Sequence, residues 1–454
     1  MKILSRISFI ILIGLICLTQ TTLSAKCITY KRPIFRYEKE VIDCPIVSSN
    51  DKRQTQATPD NMFVVNFNCS VADKVLCNKV QNVFVTAGKF ITATINLKSV
   101  VSVDAKFLDF CANFGECDTQ AIILGAAGPA RFIPFQDNDK VRLLPQALYK
   151  QLNLPQHPQF GPNEIMATFN SNMTYWFEGD PLPMLRRQAD LLYVVLHELV
   201  HGLGFVNSWN DEFGLQVLTP MLGQIVEDNP IGGLPPTPKT LFLETIFDKN
   251  LVILPDGVPL TTVTDQLNQF QFTPTTSEQD FISSQQFQIA KGIYNDGITS
   301  DKIGFVLTPG IPKNVPLTQD QIQNNVLILE TSLNPFMPSS SIGHSDFRTY
   351  LNSGDFLMLF TYPPGKTLGE MLDRSNTTST TGPIGPRLRT LLGIIGYDIK
   401  QDYTPPTTLS TIQSNDNTTN SSDNNNAKPL SSSSIVSSNL VLSLVCILSV
   451  ISFI

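Results

Sequence analysis

Apolar positions change their period several times along this chain, and each change marks an expected element. From Asn61 to Phe135 the pattern is largely strand-like: Phe63-Val64-Val65, Phe90 to Leu97 and Val100 to Phe110 alternate apolar with polar residues. Glu164 to Ser171 reads as a further strand, half buried. The clearest helical stretch is Leu185 to Leu203, with Asp180-Pro181 as its start signal and Gly202 and Gly204 as its stop. Its centre, Leu191 to Val200, is almost wholly apolar, which predicts burial on most faces. Val206 to Gly343 is a mixed region broken by Pro and Gly, with one helix expected over Glu278 to Lys291. A last helix spans Arg387 to Ile395, opened by Pro386 and ended near Gly396.

Both ends depart from this pattern. Lys2 and Arg6 precede the apolar run Ile7 to Leu18, and Leu23-Ser24-Ala25 supplies small residues for cleavage, the layout of a secretory signal peptide over 1–25. Leu440 to Ile454 is an apolar tail with no Lys or Arg behind it, preceded by an Asn-, Ser- and Thr-rich stretch from Ser410 to Ser438. Small residues, a polar spacer and a terminal apolar tail form the pattern of a glycolipid (GPI) attachment signal over 435–454, with Asn424 to Ala427 or Ser431 to Ser434 as attachment sites. Such an anchor would place the protein at the cell surface, on the outer membrane leaflet; a short ordinary tail anchor is the alternative. Between the ends, 26–53 closes on the dibasic pair Lys52-Arg53 and reads either as a removable pro-segment or as an uncut loop. The expected layout continues with a catalytic subdomain over 54–205, a second over 206–400, and a disordered stalk over 401–434.

With Cys17 and Cys446 inside the processed ends, six cysteines remain: Cys27, Cys44, Cys69, Cys77, Cys111 and Cys117. An even number in a secreted chain implies disulfides; Cys69 with Cys77 and Cys111 with Cys117 are near enough to close small loops, and Cys27 and Cys44 either pair or offer a thiolate to a metal. Asn68, Asn172, Asn376, Asn417 and Asn420 open glycosylation triplets, as a secretory route would use. Charge changes the picture only by exclusion. Charged side chains make up 16% of the 454 residues, the net charge is −7, and no basic run is present, so nucleic acid is not an expected partner.

Histidine is scarce, with four in the whole chain: His157, His197, His201 and His344. Two of them stand in His197-Glu198-Leu199-Val200-His201, inside the apolar helix. Positions i and i+4 share a helix face, so two imidazoles can converge on one Zn2+ while Glu198 serves as general base toward a zinc-activated water. Two histidines and a glutamate are costly to bury in an apolar helix without partners or a metal. No Gly-x-Ser-x-Gly competes with this constellation. For the third ligand, His344 is the only downstream imidazole; Glu244, in Leu243-Glu244-Thr245-Ile246-Phe247-Asp248, is the alternative and echoes a thermolysin-like arrangement, with Asp211 behind it. His157, between Gln156 and Pro158, reads as a surface histidine.

His201-Gly202-Leu203-Gly204-Phe205 extends the motif to HExxHxxGF, which resembles the metzincin clan of zinc proteases. Where the short form of that motif places its third ligand this chain has Asn207, whereas leishmanolysin-like proteases take the third histidine from far downstream, as Ser341-Ile342-Gly343-His344 would supply it. Asp355-Phe356-Leu357-Met358 resembles the clan's methionine turn at Met358, and Gly393 to Tyr397 its closing segment, although no proline follows the turn directly and the cysteine pattern differs. The resemblance implies an α+β, metzincin-like catalytic domain with a twisted mixed sheet, a zinc helix and an irregular lower subdomain. It further implies a zinc endopeptidase acting on peptide or protein substrate, with the strand at Glu164 to Ser171 forming the edge of the cleft. A different class, a non-catalytic surface or adhesion protein stabilised by zinc, is the rival expectation.

Overall fold

The computed structural model describes residues 24–32, 38–48, 57–118, 122–138, 140–227 and 237–406. Strands β1 (Ser24–Tyr30) and β2 (Lys39–Ser48) form an antiparallel pair that carries a Cys27–Cys44 disulfide. There follow β3 (Phe63–Cys69), helix α1 (Lys74–Thr92), β4 (Val101–Leu108), the short α2 (Phe110–Phe114), β5 (Gly125–Pro129), β6 (Arg131–Asp137) and β7 (Lys140–Pro145). Helix α3 (Gln146–Gln151), β8 (Gln156–Pro158) and β9 (Ile165–Asn170) complete two sheets, ordered β7-β6-β1-β2-β8 and β3-β4-β9-β5. In the second sheet β3, β4 and β9 run parallel and β5 runs antiparallel along the edge.

Two short parallel strands, β10 (Tyr175–Trp176) and β11 (Ala189–Asp190), lead into the central helix α4 (Leu191–Leu203). Beyond it come the pair β12 (Met221–Glu227) and β13 (Thr237–Leu243), then a sheet of β14 (Leu251–Ile253), β15 (Val258–Pro259), β16 (Ile303–Val306) and β17 (Val326–Ile328). Helices α5 (Leu260–Leu267), α6 (Glu278–Ile282), α7 (Gln285–Gly297) and α8 (Gln319–Asn325) are interleaved with that sheet. The described chain closes through α9 (Phe347–Tyr350), α10 (Leu368–Ser375) and α11 (Pro386–Ile395). The fold is α+β with several separate sheets.

Helix α4 is the hub: every residue except Leu192 is buried, and it packs against α1, β5 and β9. Gly202 permits that approach, because a Cβ there would lie 2.5 Å from the Ile165 side chain on β9. Helix α1 overturns the expectation of a strand over Phe90 to Leu97, since Phe90 and Ile91 belong to its last turn. Asp73 caps it by accepting from the amides of Val75 and Leu76, and Cys77, Val80, Phe84, Ala87 and Ile91 recur at three- and four-residue steps on its buried face. Helix α4 itself begins six residues later than Leu185, capped by Asp190 rather than started at Asp180-Pro181. The helix expected over Glu278 to Lys291 is two, because Ser284 breaks the run and caps α7 through the Phe287 amide.

His157 is no surface residue: it lies on β8 at 7% exposure, stacked on Phe160 with ring centroids 4.1 Å apart. All six cysteines are paired, as Cys27–Cys44, Cys69–Cys77 and Cys111–Cys117. Asn68, Asn172 and Asn376 are exposed. Asn417 and Asn420, residues 1–23 of the leader, the Lys52-Arg53 pair and the C-terminal attachment pattern lie outside the described residues, whereas Ser24 and Ala25 at the leader's end begin β1; of the expected stalk, 401–406 is described, as irregular chain with Tyr403 packed against the core. Among the described residues no helix is long and apolar enough to cross a membrane.

The first two strands are built into this architecture. β1 sits between β2 and β6, and Ile28 and Tyr30 bury against Phe132, Leu143, Val206 and Met221. Burial of side chains of this size stabilises by about 1.5–3 kcal/mol each. Deleting residues 26–48 is therefore expected to abolish the cooperative thermal transition of the whole chain. A deletion variant that melts like the parent by circular dichroism would show the strand pair to be dispensable.

Candidate metal centre

Asp190 sets the start of α4 and ties it to the C-terminal part of the chain. Its Oδ1 accepts from the amides of Leu192 (2.9 Å) and Tyr193 (3.4 Å), and its Oδ2 accepts from Leu368 at the start of α10 (2.8 Å). Burial pushes the Asp190 carboxyl up to about 6, against the pull of these three amides. The Tyr193 hydroxyl donates to the carbonyl of Phe356 (3.0 Å), which fixes the 356–358 turn against the same helix. Gly204, at φ +120°, ends the helix in a conformation that side chains disfavour, and turns the chain away.

His197 and His201 project from one face of α4 and meet His344, brought from the other half of the chain. Their Nε2 atoms form a triangle: 3.1 Å from His197 to His344, 3.2 Å from His201 to His197, and 3.2 Å from His201 to His344. Each ring directs its other nitrogen at a backbone carbonyl, namely Leu357 for His197 (2.7 Å), Phe205 for His201 (2.7 Å) and Ser340 for His344 (3.1 Å). A carbonyl oxygen only accepts, so each Nδ1 carries the proton and each Nε2 of a neutral ring presents a lone pair. Burial holds His197 neutral by pushing it down to about 4, in spite of the Leu357 carbonyl.

Three lone pairs facing one point repel one another unless a cation lies between them. Nitrogens bound to one tetrahedral zinc at about 2.0–2.1 Å stand roughly 3.3 Å apart, so the observed triangle fits such an ion. The carbonyl contacts on the outer nitrogens supply the orientation that metal-ligating imidazoles require.

His344 reaches the triangle on a tightly held loop. The Ile342 amide donates to the carbonyl of Glu330, and the Glu330 amide to the carbonyl of His344, both at 2.8 Å. Ser345 donates to the Met358 carbonyl through its amide (2.8 Å) and hydroxyl (2.9 Å). Ile342 sits at φ +62°, a left-handed backbone that a β-branched side chain adopts only under constraint. Met358 is buried in the 356–358 turn, and the turn contacts one histidine and the neighbour of another: the Leu357 carbonyl orients His197, and the Met358 carbonyl accepts from Ser345, the residue after His344.

Glu198 is buried beside the triangle, and its Oε2 accepts from the amide of Ala127 on β5 at 2.6 Å. Burial raises Tyr175, and the Glu198 charge raises it further. Flanking bonds from Ala130 to the Glu164 carbonyl and from Asn170 to the Leu124 carbonyl set the phase of the β5–β9 ladder. By the alternation of an antiparallel pair, Ala126 and Gly128 bond to β9 while Gly125 and Ala127 face outward. The sheet edge beside Glu198 is thus β5. The segment Glu164 to Ser171, expected to form that edge, instead supplies β9, an interior strand between β4 and β5.

Glu244 does not join the histidines. Its Oε2 accepts from Arg142 Nε (3.2 Å) and the Thr261 hydroxyl (3.0 Å), within a buried network that extends to Asp137. Asp211 folds back on its own loop, accepting from the amides of Leu215 and Gln216. The Ala127 amide and the carbonyls of Phe205, Ser340 and Leu357 are backbone groups, which leave no residue-type signal in the sequence. Asp190, by contrast, is a capping residue directly before the apolar run, and that signal was present.

A profile of the SPBPB7E8-like family matches residues 20–436. The uncharacterized protein PB7E8.01 of Schizosaccharomyces pombe is 26% identical over 391 residues, which cover 79% of this chain. The chain spans 66% of the length of that relative, just under two thirds. No solved structure matches. With the match extending over most of its length, the chain belongs to the SPBPB7E8-like family.

Proposed function

We propose that this chain is a zinc-dependent endopeptidase of metzincin type, with a leishmanolysin-like distant third ligand. The observation that carries the reading is the convergence of three oriented Nε2 atoms beside Glu198. His197, His201 and His344 would hold the zinc. When bound, zinc supplies Lewis acidity, polarising a peptide carbonyl and lowering the pKa of water toward neutrality. Glu198 takes the proton of the attacking water on its carboxylate and returns it to the leaving amine. The Ala127 amide on Oε2 fixes the position of this carboxylate beside the histidines. Outward-facing Gly125 and the carbonyl of Ala127, whose amide is held by Glu198, offer an extended peptide an edge to pair with, next to the reacting groups.

Three disulfides fit an oxidising, extracellular setting, so we place the enzyme in the secretory pathway, with the C-terminal pattern acting as a GPI signal.

Glu198→Gln is expected to keep its zinc and to lose at least about 100-fold of chelator-sensitive cleavage of casein or gelatin. Full activity in that variant would refute the proposed base. Zinc content separates the two ligand sets: His344→Ala should empty the site, whereas Glu244→Ala should leave it loaded. The reverse result would favour the thermolysin-like arrangement. Stoichiometric zinc without cleavage of any peptide would favour an adhesive or structural protein.

A further inference from the structure

Each group of the candidate site is tied by a hydrogen bond to a different stretch of chain. Ala127 holds Glu198, Phe205 holds His201, Ser340 holds His344, and Leu357 holds His197. Read outward from those contacts, the stretches 122–130, 202–210, 331–345 and 356–365 contain no Asp, Glu, Lys or Arg, although 16% of the chain is charged. Lys366 follows the last of these stretches, the stem of Arg186 packs on Gly365, and the other border charges bond away from the histidines. Glu330 accepts from Ser332 and Phe347, Asp346 caps α9, Asp355 accepts from the amides of Arg387 and Leu388, and Arg131 donates to the Gln159 carbonyl.

Apolar side chains stand in the open on two of these stretches. Ile122 and Ile123 are 40% and 37% exposed just before the edge strand β5, and Met337 is 49% exposed. Met337 lies one turn from the third ligand: its carbonyl accepts from the amide of Ser340, whose own carbonyl holds His344.

We propose that the cleft takes extended peptide that is uncharged on both sides of the cut bond, with Met337 on the wall that reads it. This rests on the peptidase reading and narrows it. A charged substrate side chain drawn against the parts of these walls next to the histidines gives up water and meets no Asp, Glu, Lys or Arg within them, whereas an apolar one gains burial against Met337, Ile122 and Ile123. An extended peptide paired along Gly125 and the Ala127 carbonyl directs alternate side chains to opposite faces, so residues both before and after the bond meet uncharged wall.

A peptide library digested with the zinc-loaded protein, with cut sites identified by mass spectrometry, tests this. Asp, Glu, Lys and Arg should occur at least fivefold below their library frequency at the two positions on either side of the cut. The variant Met337→Lys should admit acidic residues at least threefold more often than the wild type. Binding to Glu198→Gln, read by fluorescence anisotropy, should be at least tenfold tighter for a neutral peptide than for the same peptide carrying Glu or Lys beside the bond. Charged residues at library frequency beside wild-type cuts, an unchanged Met337→Lys profile, or equal binding would overturn the inference and leave the peptidase reading standing. Absence of any Glu198-dependent cut would overturn both.

Discussion

Three imidazole Nε2 atoms held 3.1–3.2 Å apart on buried side chains are the constraint on which the surrounding structure depends. Left alone, neutral rings in that arrangement would rotate apart to relieve their repulsion. They are prevented from doing so by three backbone carbonyls that take the Nδ1 protons, from Leu357, Phe205 and Ser340. The site is therefore only as rigid as the segments bearing those carbonyls, and each is anchored separately. The 356–358 turn is fixed by Tyr193 and by Ser345, and the 340–344 loop by its two backbone bonds with Glu330. Strain at Ile342 is tolerated because the loop is held on both sides of it.

The chain leaving α4 is clamped in the same manner. Val206 packs with Ile28, Tyr30, Phe132 and Leu143, so the strands from the start of the chain support the segment that carries the Phe205 carbonyl. From the opposite side the Thr245 hydroxyl donates to the Val206 carbonyl (3.0 Å), and Ser208 donates to Asp248 through both its hydroxyl (2.6 Å) and its amide. Burial pushes Asp248 up to about 7, and the donors from Ser208 and Thr245 oppose that rise. A network with no group in the histidine triangle thus helps to hold His201 in its orientation.

What was legible beforehand followed the range of the interactions involved. The histidine pair on α4 could be read because a four-residue spacing on a helix fixes which side chains share a face. Helix α11 could be read from Pro386 and Gly396 for the same local reason. Helix α1 carried a readable face at Cys77, Val80, Phe84, Ala87 and Ile91, yet its β-branched and aromatic residues resembled strand composition, and packing against α4 decided the matter. His157 looked exposed beside its prolines and is buried through stacking on Phe160. The cleft edge was assigned one strand too far in, because Gly125 to Pro129 is too small and glycine-rich to read as a strand, and only the ladder with β9 reveals it as one.

The sequence by itself determined that His197 and His201 share one helix face with Glu198 between them in the chain, which six cysteines could pair, and the stop signals of the main helices. These depend on neighbours a few residues apart, whose geometry the backbone supplies. Only the tertiary structure decided that His344, rather than Glu244, stands 3.1 Å from His197, and which four backbone groups orient the site. His197 meets His344 and the Leu357 carbonyl across 147 and 160 positions and Glu198 meets the Ala127 amide across 71, while Phe205 and Ser340 hold their histidines from four positions away. No residue type announces them. They exist because α4, the 340–344 loop and the edge of the sheet share one buried core.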